Sequence, residues 1–259
     1  MDLNEALAFG NSLADVAGPI ARSYFRQPLD VESKPDLSPV TIADKEIEAR
    51  LRGMIRARYP DHGILGEEQG RDATDSEYVW VLDPIDGTKS FISGNPLFGT
   101  LIALLRHGRP VLGIIDHPVL GERWAGGPGL PALLNGRACR TRACARLADA
   151  IVMSTSPDSF GAADLARFDS VSLAARLRRF GGDCYSYALL ASGHIDAVLA
   201  SSLQPYDFMP LLAVVESAGG VMTGWRGERL EIDDYDGRVL AAATPALHAE
   251  ILALLDAGG

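Results

Sequence analysis

Residues 79–88 read Val79-Trp80-Val81-Leu82-Asp83-Pro84-Ile85-Asp86-Gly87-Thr88. An apolar run of this kind predicts a strand buried on both faces, because it lacks the alternation of a half-exposed strand. Asp83 then falls at the carboxyl end of the strand, where α/β folds place their chemistry. Pro84 is expected to stop the ladder and bend the chain, bringing Asp86 back beside Asp83. Two carboxylates that close repel unless a proton or a cation lies between them, and oxygen-only ligands suit a hard cation such as Mg²⁺. Gly87 and Thr88 offer backbone N–H groups at a helix start, a cradle for phosphate. The plainer alternative is a strand-to-helix turn whose aspartates serve as caps.

The 259 residues fit one large domain or two intimate halves, and 47% hydrophobic residues supply a sizeable core. With only 7% aromatics, that core must be mostly Ala, Val, Ile and Leu. A formal net charge of −10 argues against non-specific binding to nucleic acid or anionic lipid. A small anionic substrate stays possible, since a metal site inverts the local charge. Cys139, Cys144 and Cys184 are odd in number and form no C-x-x-C, so neither a disulfide framework nor a zinc ribbon is expected. His62, His107, His117, His194 and His248 show no metal-ligand spacing and are expected at the surface or in loops. Neither a basic leader nor an 18-residue apolar run is present, so the expectation is a cytoplasmic protein.

Helical spacing predicts helices over 3–25 and from Thr41 onward, the latter opened by a Thr41/Asp44 capping box. Residues 29–40 read as a loop or short extended arm. A short strand at 63–66 leads into Glu67-Glu68, and probable strands follow the 79–88 element at 100–105, 110–116, 122–125 and 132–134. The first half thus reads as two helices and an antiparallel sheet. The second half alternates: strand 151–154, helix 162–178, helix 185–192, strand 195–199, helix 208–218, strands 221–223 and 239–242, and helix 245–255. That pattern suggests an α/β half. The expectation is one domain over 1–259, with approximate halves 1–145 and 146–259.

Further acidic residues recur at element ends: Glu67 after its strand, Asp207 at the start of helix 208–218, and Asp44 in the first turn of its helix. Each has a structural alternative, an N-cap for Asp207, the capping box for Asp44 and a solvated pair for Glu67-Glu68. Taken with Asp83 and Asp86, a shared metal site explains them better.

Gly66-Glu67-Glu68, the 80–88 block, and Pro205-Tyr206-Asp207 followed by Glu216-Ser217-Ala218-Gly219-Gly220 together resemble the inositol monophosphatase family of Mg²⁺-dependent phosphomonoesterases. Val40-Thr41-Ile42-Ala43-Asp44 is a weaker fourth match, and the set runs in order from about residue 34 to 224. The resemblance implies an αβαβα sandwich with the metals between its halves. It implies that Glu67, Asp83, Asp86, Asp207 and the carbonyl of Ile85 hold two or three Mg²⁺ ions. Asp44 and Thr88, together with Glu67, would position and activate the attacking water, and the N–H groups of Gly87 and Thr88 would bind the phosphate. Lys34 falls near a lysine that many members place by the site. Homodimers are common in the family.

Within the family the chain most resembles the histidinol-phosphate phosphatases. The similarity lies in Asp36-Leu37-Ser38-Pro39-Val40-Thr41, Phe91-Ile92-Ser93-Gly94, Ile114-Ile115-Asp116 with Gly121-Glu122-Arg123-Trp124, and Asp183-Cys184-Tyr185. This implies hydrolysis of L-histidinol phosphate in histidine biosynthesis, with Asp183 facing the substrate's ammonium group. A loop Asp capping the following helix is the alternative for Asp183. Inositol 1-phosphate or another sugar or polyol phosphate is the alternative substrate. Ala200 stands where many members carry a Glu that contacts the substrate alcohol, a loss that weakens histidinol phosphate and inositol phosphate alike and leaves a different sugar or polyol phosphate, or a promiscuous enzyme, open. A non-catalytic binding protein is the reading from another class. It would let the metal ligands erode, yet all are present.

Overall fold

The computed structural model describes residues 1–28, 31–33 and 39–257. In chain order these form α1 (Leu3–Tyr24), β1 (Val31–Ser33), β2 (Pro39–Thr41), α2 (Ile42–Arg58), β3 (Gly63–Gly66), β4 (Gly70–Asp72), β5 (Tyr78–Asp86) and α3 (Thr88–Ile92). Four hairpin-linked strands follow, β6 (Gly99–Arg106), β7 (Arg109–His117), β8 (Glu122–Gly127) and β9 (Leu130–Leu134), then the short β10 (Arg137–Ala138). The remainder is β11 (Ile151–Ser154), α4 (Ala162–Ser172), β12 (Leu177–Phe180), α5 (Asp183–Ala191), β13 (Ala197–Ala200), α6 (Pro205–Ser217), β14 (Val221–Thr223), β15 (Val239–Ala242) and α7 (Pro245–Ala257).

Two large sheets organise these elements, an eight-stranded one in the order β10-β9-β8-β7-β6-β5-β3-β4 and a five-stranded one in the order β12-β11-β13-β15-β14. Strand alternation sorts their side chains into three cores. Trp80, Leu82, Ile102, Leu104, Leu112 and Ile114 face α1 and α2, where they meet Leu13, Ile47, Leu51 and Ile55. Val79, Val81, Leu101, Ala103 and Ile115 point the other way, onto α5, α6 and the near face of the second sheet. The far face of that sheet, through Val152, Leu199 and Leu240, packs on Phe168 of α4 and on Leu247 and Ile251 of α7. Three cores between five layers give the expected αβαβα sandwich.

Several expectations need correction. The 29–40 segment contributes a two-stranded antiparallel ribbon, β1 with β2. The first sheet is mixed, because β3 runs parallel to β5. The second is mixed as well: β11 is parallel to β12 and β13, whereas β15 runs antiparallel to β13 and β14. The helix predicted over 162–178 ends at Ser172, and Leu177-Arg178-Arg179-Phe180 form an edge strand. Charged side chains suit a strand paired on one side only and disguise it in the sequence. His117 is fully buried at the end of β7, its Nδ1 2.8 Å from the Phe98 carbonyl, and burial pushes its pKa down to about 4. His248 is buried in α7 against the Thr223 hydroxyl.

The eight-stranded sheet meets α6 at Gly113, where a Cβ would lie 2.8 Å from that of Ala213 and closer still to the Pro210 carbonyl. Gly113→Ala is therefore expected to force helix and sheet apart and cost about 1–3 kcal/mol, measured by urea unfolding.

Candidate active site

Asp83 pairs across the ladder with Leu101, and Asp86 pairs with Gly99. Residues 84 and 85 thus oppose Thr100 alone, which makes a β-bulge. The bulge has a direct consequence. Three residues apart in a regular strand, Asp83 and Asp86 would face opposite sides of the sheet; opposite residues two apart, they face the same side. Proline therefore interrupts the ladder without ending it, and β5 continues to Asp86. The Thr100 hydroxyl donates to the Pro84 carbonyl at 2.8 Å and steadies the bulge.

Other element ends converge here. Asp207 is the third residue of α6, with Gln204 as N-cap, so it is not itself the cap; its Oδ2 accepts the Gln204 N–H at 2.7 Å. One oxygen from each of Asp83, Asp86 and Asp207 lies within 4.8 Å of the others. Glu67 follows β3, and its N–H donates to the Leu82 carbonyl at 3.1 Å, which sets it beside Asp83 on the neighbouring strand. Asp44 forms the expected capping box, its Oδ2 accepting the Thr41 N–H at 2.8 Å and the Thr41 hydroxyl at 2.5 Å. The Thr88 hydroxyl donates to the Ile85 carbonyl at 3.1 Å. Thr88 and Asp44 are not hydrogen-bonded to each other, since Asp44 Oδ1 has no partner and Oδ2 is held by Thr41.

Asp183 opens α5 with a left-handed φ of 44°, and its Oδ2 accepts the Ser90 hydroxyl at 2.6 Å. It does not cap the helix, whose N-cap is Gly182. Instead it lies against Gly87, where a Cβ would come 2.7 Å from Asp183 Oδ2. Gly87 itself has φ 81°, so glycine is required there on two counts. The next N–H, of Cys184, donates to Asp86 Oδ2 at 2.7 Å and couples α5 to β5. Ala200 is buried at the end of β13. Lys34 lies outside the described residues.

Two residues escaped the sequence reading. Glu48 and Arg52 are buried on α2 and paired with each other, and Glu48 accepts the Glu68 and Gln69 N–H groups. The signal was available in the spacing, because Asp44, Glu48 and Arg52 recur every four residues along one side of a helix.

The electrostatics are those of carboxylates crowded together and withdrawn from water. Burial, then Glu67, Asp86 and Asp207, raise the Asp83 pKa well above the carboxylate range. Burial, then Asp86, does the same to Asp207. Burial and Asp183 push Asp86 up to about 7, and burial pushes Asp44 up to about 6 against the hydrogen bonds from Thr41. Asp83 Oδ1 and Asp44 Oδ1 are buried without a hydrogen-bond partner. Unsatisfied oxygens in an all-oxygen cluster are the donor set a hard divalent cation takes.

The comparisons with known proteins decide the class. The model of the inositol monophosphatase family matches residues 2–258. The chain belongs to the inositol monophosphatase family. It is accordingly a phosphoric monoester hydrolase. It is 44% identical over 98% of its length to a chloroplastic bifunctional phosphatase, IMPL2, of Arabidopsis thaliana, covering 76% of that protein. It is 37% identical to a histidinol-phosphatase of Chlorobaculum parvum, covering 95% of each chain. A solved structure of an inositol monophosphatase from Zymomonas mobilis superposes with a TM-score of 0.90 at 42% identity, covering 99% of each chain. No described helix is long and apolar enough to cross a membrane.

Raised carboxylate pKa values mean that the folded chain binds more protons than the unfolded chain between about pH 4 and 7, so metal-free stability falls as pH rises through that window. Buried His117 works in the opposite sense, losing stability as pH falls from about 6.5 to 4. Asp83→Asn removes one repelling charge. In EDTA at pH 8 it is expected to melt about 3 °C or more above the unmodified protein, with a shallower pH slope. The variant should also lose the thermal stabilisation by Mg²⁺, which reaches about 2.7 kcal/mol at a hundred times Kd. Thermal melts with and without Mg²⁺ check both.

Proposed function

We propose that the chain is a Mg²⁺-dependent phosphomonoesterase that converts L-histidinol phosphate to L-histidinol. The observation that carries the metal reading is the convergence of buried Asp83 and half-buried Asp86 and Asp207 on one point, with the Asp83 Oδ1 left without a hydrogen-bond partner. Glu67, Asp83, Asp86, Asp207 and the Ile85 carbonyl would hold two or three ions. When bound, Mg²⁺ supplies Lewis-acid activation of water and neutralises charge at the phosphate. The chain's own residues do the rest. Asp44, with its free Oδ1 and a pKa that burial raises to about 6, accepts the proton of the attacking water, and Thr88 orients that water. Glu67 is assigned to both the catalytic group and the ligands. The N–H groups of Gly87 and Thr88 hold the phosphate.

Substrate choice rests on Asp183. Its carboxylate borders Gly87, at the place assigned to the phosphate, and is the group that would pair with an ammonium on the substrate. The histidinol-phosphatase of Chlorobaculum parvum supports the same choice. A second reading, an inositol or other polyol phosphate, is favoured by the likeness to the Zymomonas mobilis enzyme. The proposal includes a cytoplasmic homodimer; exposed Leu173 at the end of α4 and Leu177 at the start of the edge strand β12 offer apolar surface for it, and light scattering tests it.

Phosphate release from histidinol phosphate, inositol 1-phosphate, fructose 1,6-bisphosphate and a 3′-phosphoadenosine nucleotide, with Mg²⁺ or EDTA, tests the reading. Preference for histidinol phosphate, abolished by EDTA, is expected. Asp83→Ala and Asp207→Ala should each lower kcat/KM by about 100-fold or more, and retention of activity in either would refute the metal site. Asp183→Asn should cost about tenfold in kcat/KM for histidinol phosphate and little for inositol 1-phosphate.

A further inference from the structure

We infer that Glu48 is a positioning residue: held by Arg52, its carboxylate sets the place of Glu67 and with it the affinity of the acidic site for a divalent cation. The inference rests on the metal reading above.

Glu48 and Arg52 lie on the buried side of α2 among Ile47, Leu51 and Ile55, at 0% and 2% exposure. A lone carboxylate there would be severely destabilising, and the Arg52 guanidinium, 2.8 Å from Oε1, balances its charge. The remaining bonds of the pair leave the helix. Glu48 Oε2 accepts the Glu68 N–H at 2.7 Å, and Oε1 accepts the Gln69 N–H at 3.0 Å. Arg52 Nη2 donates to the Gly70 carbonyl. Glu68 and Gln69, with Glu67, make up the turn between β3 and β4, and Gly70 opens β4.

Glu67 is thus held from both sides. Upstream, Gly66 is paired with Leu82 on β5, and the Glu67 N–H bonds the Leu82 carbonyl. Downstream, the next two N–H groups end on Glu48. Gly66 is part of the same device. A Cβ on it would lie 2.8 Å from Glu48 Oε2 and closer to Oε1, so only glycine lets the carboxylate reach the turn. The Gly66-Glu67-Glu68 motif then reads as one mechanical unit, with a glycine that admits the brace, a carboxylate that is aimed, and an N–H that is gripped.

Replacing a buried ion pair by apolar residues is often neutral for stability, so stability alone does not explain a pair whose bonds beyond itself go to the turn bearing Glu67 and to the first residue of β4. Groups that orient ligands typically change metal affinity by about 10–100-fold when altered.

The test is titration calorimetry of Mg²⁺ into EDTA-stripped, folded Glu48→Gln, Glu48→Asp and Gly66→Ala, beside Glu67→Gln. Glu48→Asp keeps the charge that balances Arg52 and shortens the reach, so it remains informative if Glu48→Gln does not fold. The expected result is Mg²⁺ affinity weakened about tenfold or more in the Glu48 and Gly66 variants, with a matching rise in the Mg²⁺ concentration that half-activates phosphate release. A folded Glu48→Asp with a lower melting temperature but unchanged Mg²⁺ affinity, while Glu67→Gln binds more weakly, would reduce Glu48 to a structural role and overturn the inference alone. Unchanged affinity in Glu67→Gln would overturn the metal role of Glu67 and this inference with it.

Discussion

Carboxylates gathered close together repel one another, and much of this molecule is arranged so that they are gathered nonetheless. The central device is the bulge at Pro84 and Ile85, which puts Asp83 and Asp86 on one face of a strand that would otherwise separate them. Without it, the remaining acidic residues would surround a single aspartate. With it, the first turns of α2, α5 and α6 and the end of β3 have a common point to address. The resulting pKa displacement is the free-energy cost of that assembly in the absence of a cation.

The sandwich tolerates this cost because the cluster sits at element ends, while the cores between the layers are almost wholly apolar. α6 packs its length on the eight-stranded sheet and offers Asp207 from its first turn. α2 does likewise on the opposite face with Asp44. Packing positions the helices, and the helices position the carboxylates. The small residues at the contact, Gly113 above all, set how closely the layers approach.

Much of the site was legible in advance because its residues lie at predictable boundaries: a buried run that stops at Asp83, a cap at Thr41, a glycine pair after Ala218. What misled the reading was context. His117 carries a polar side chain yet lies in the core, because the Phe98 carbonyl offers it a partner. Leu177–Phe180 looks like the tail of a helix, because an edge strand can carry arginines.

By itself, the sequence determined the kinds of element, the strand covered on both faces, the capping box of α2 and the all-oxygen character of the acidic set, because these depend on side-chain chemistry and on spacings within a few residues. Only the tertiary structure decided the parallel pairing of β3 with β5, the shared face of Asp83 and Asp86, the contact of Asp183 with Gly87, and the grip of Glu48 on the turn that carries Glu67. Each of these joins segments distant in the chain or turns on a register that one extra residue reverses. A side chain's facing and its long-range neighbour are properties of the packed layers.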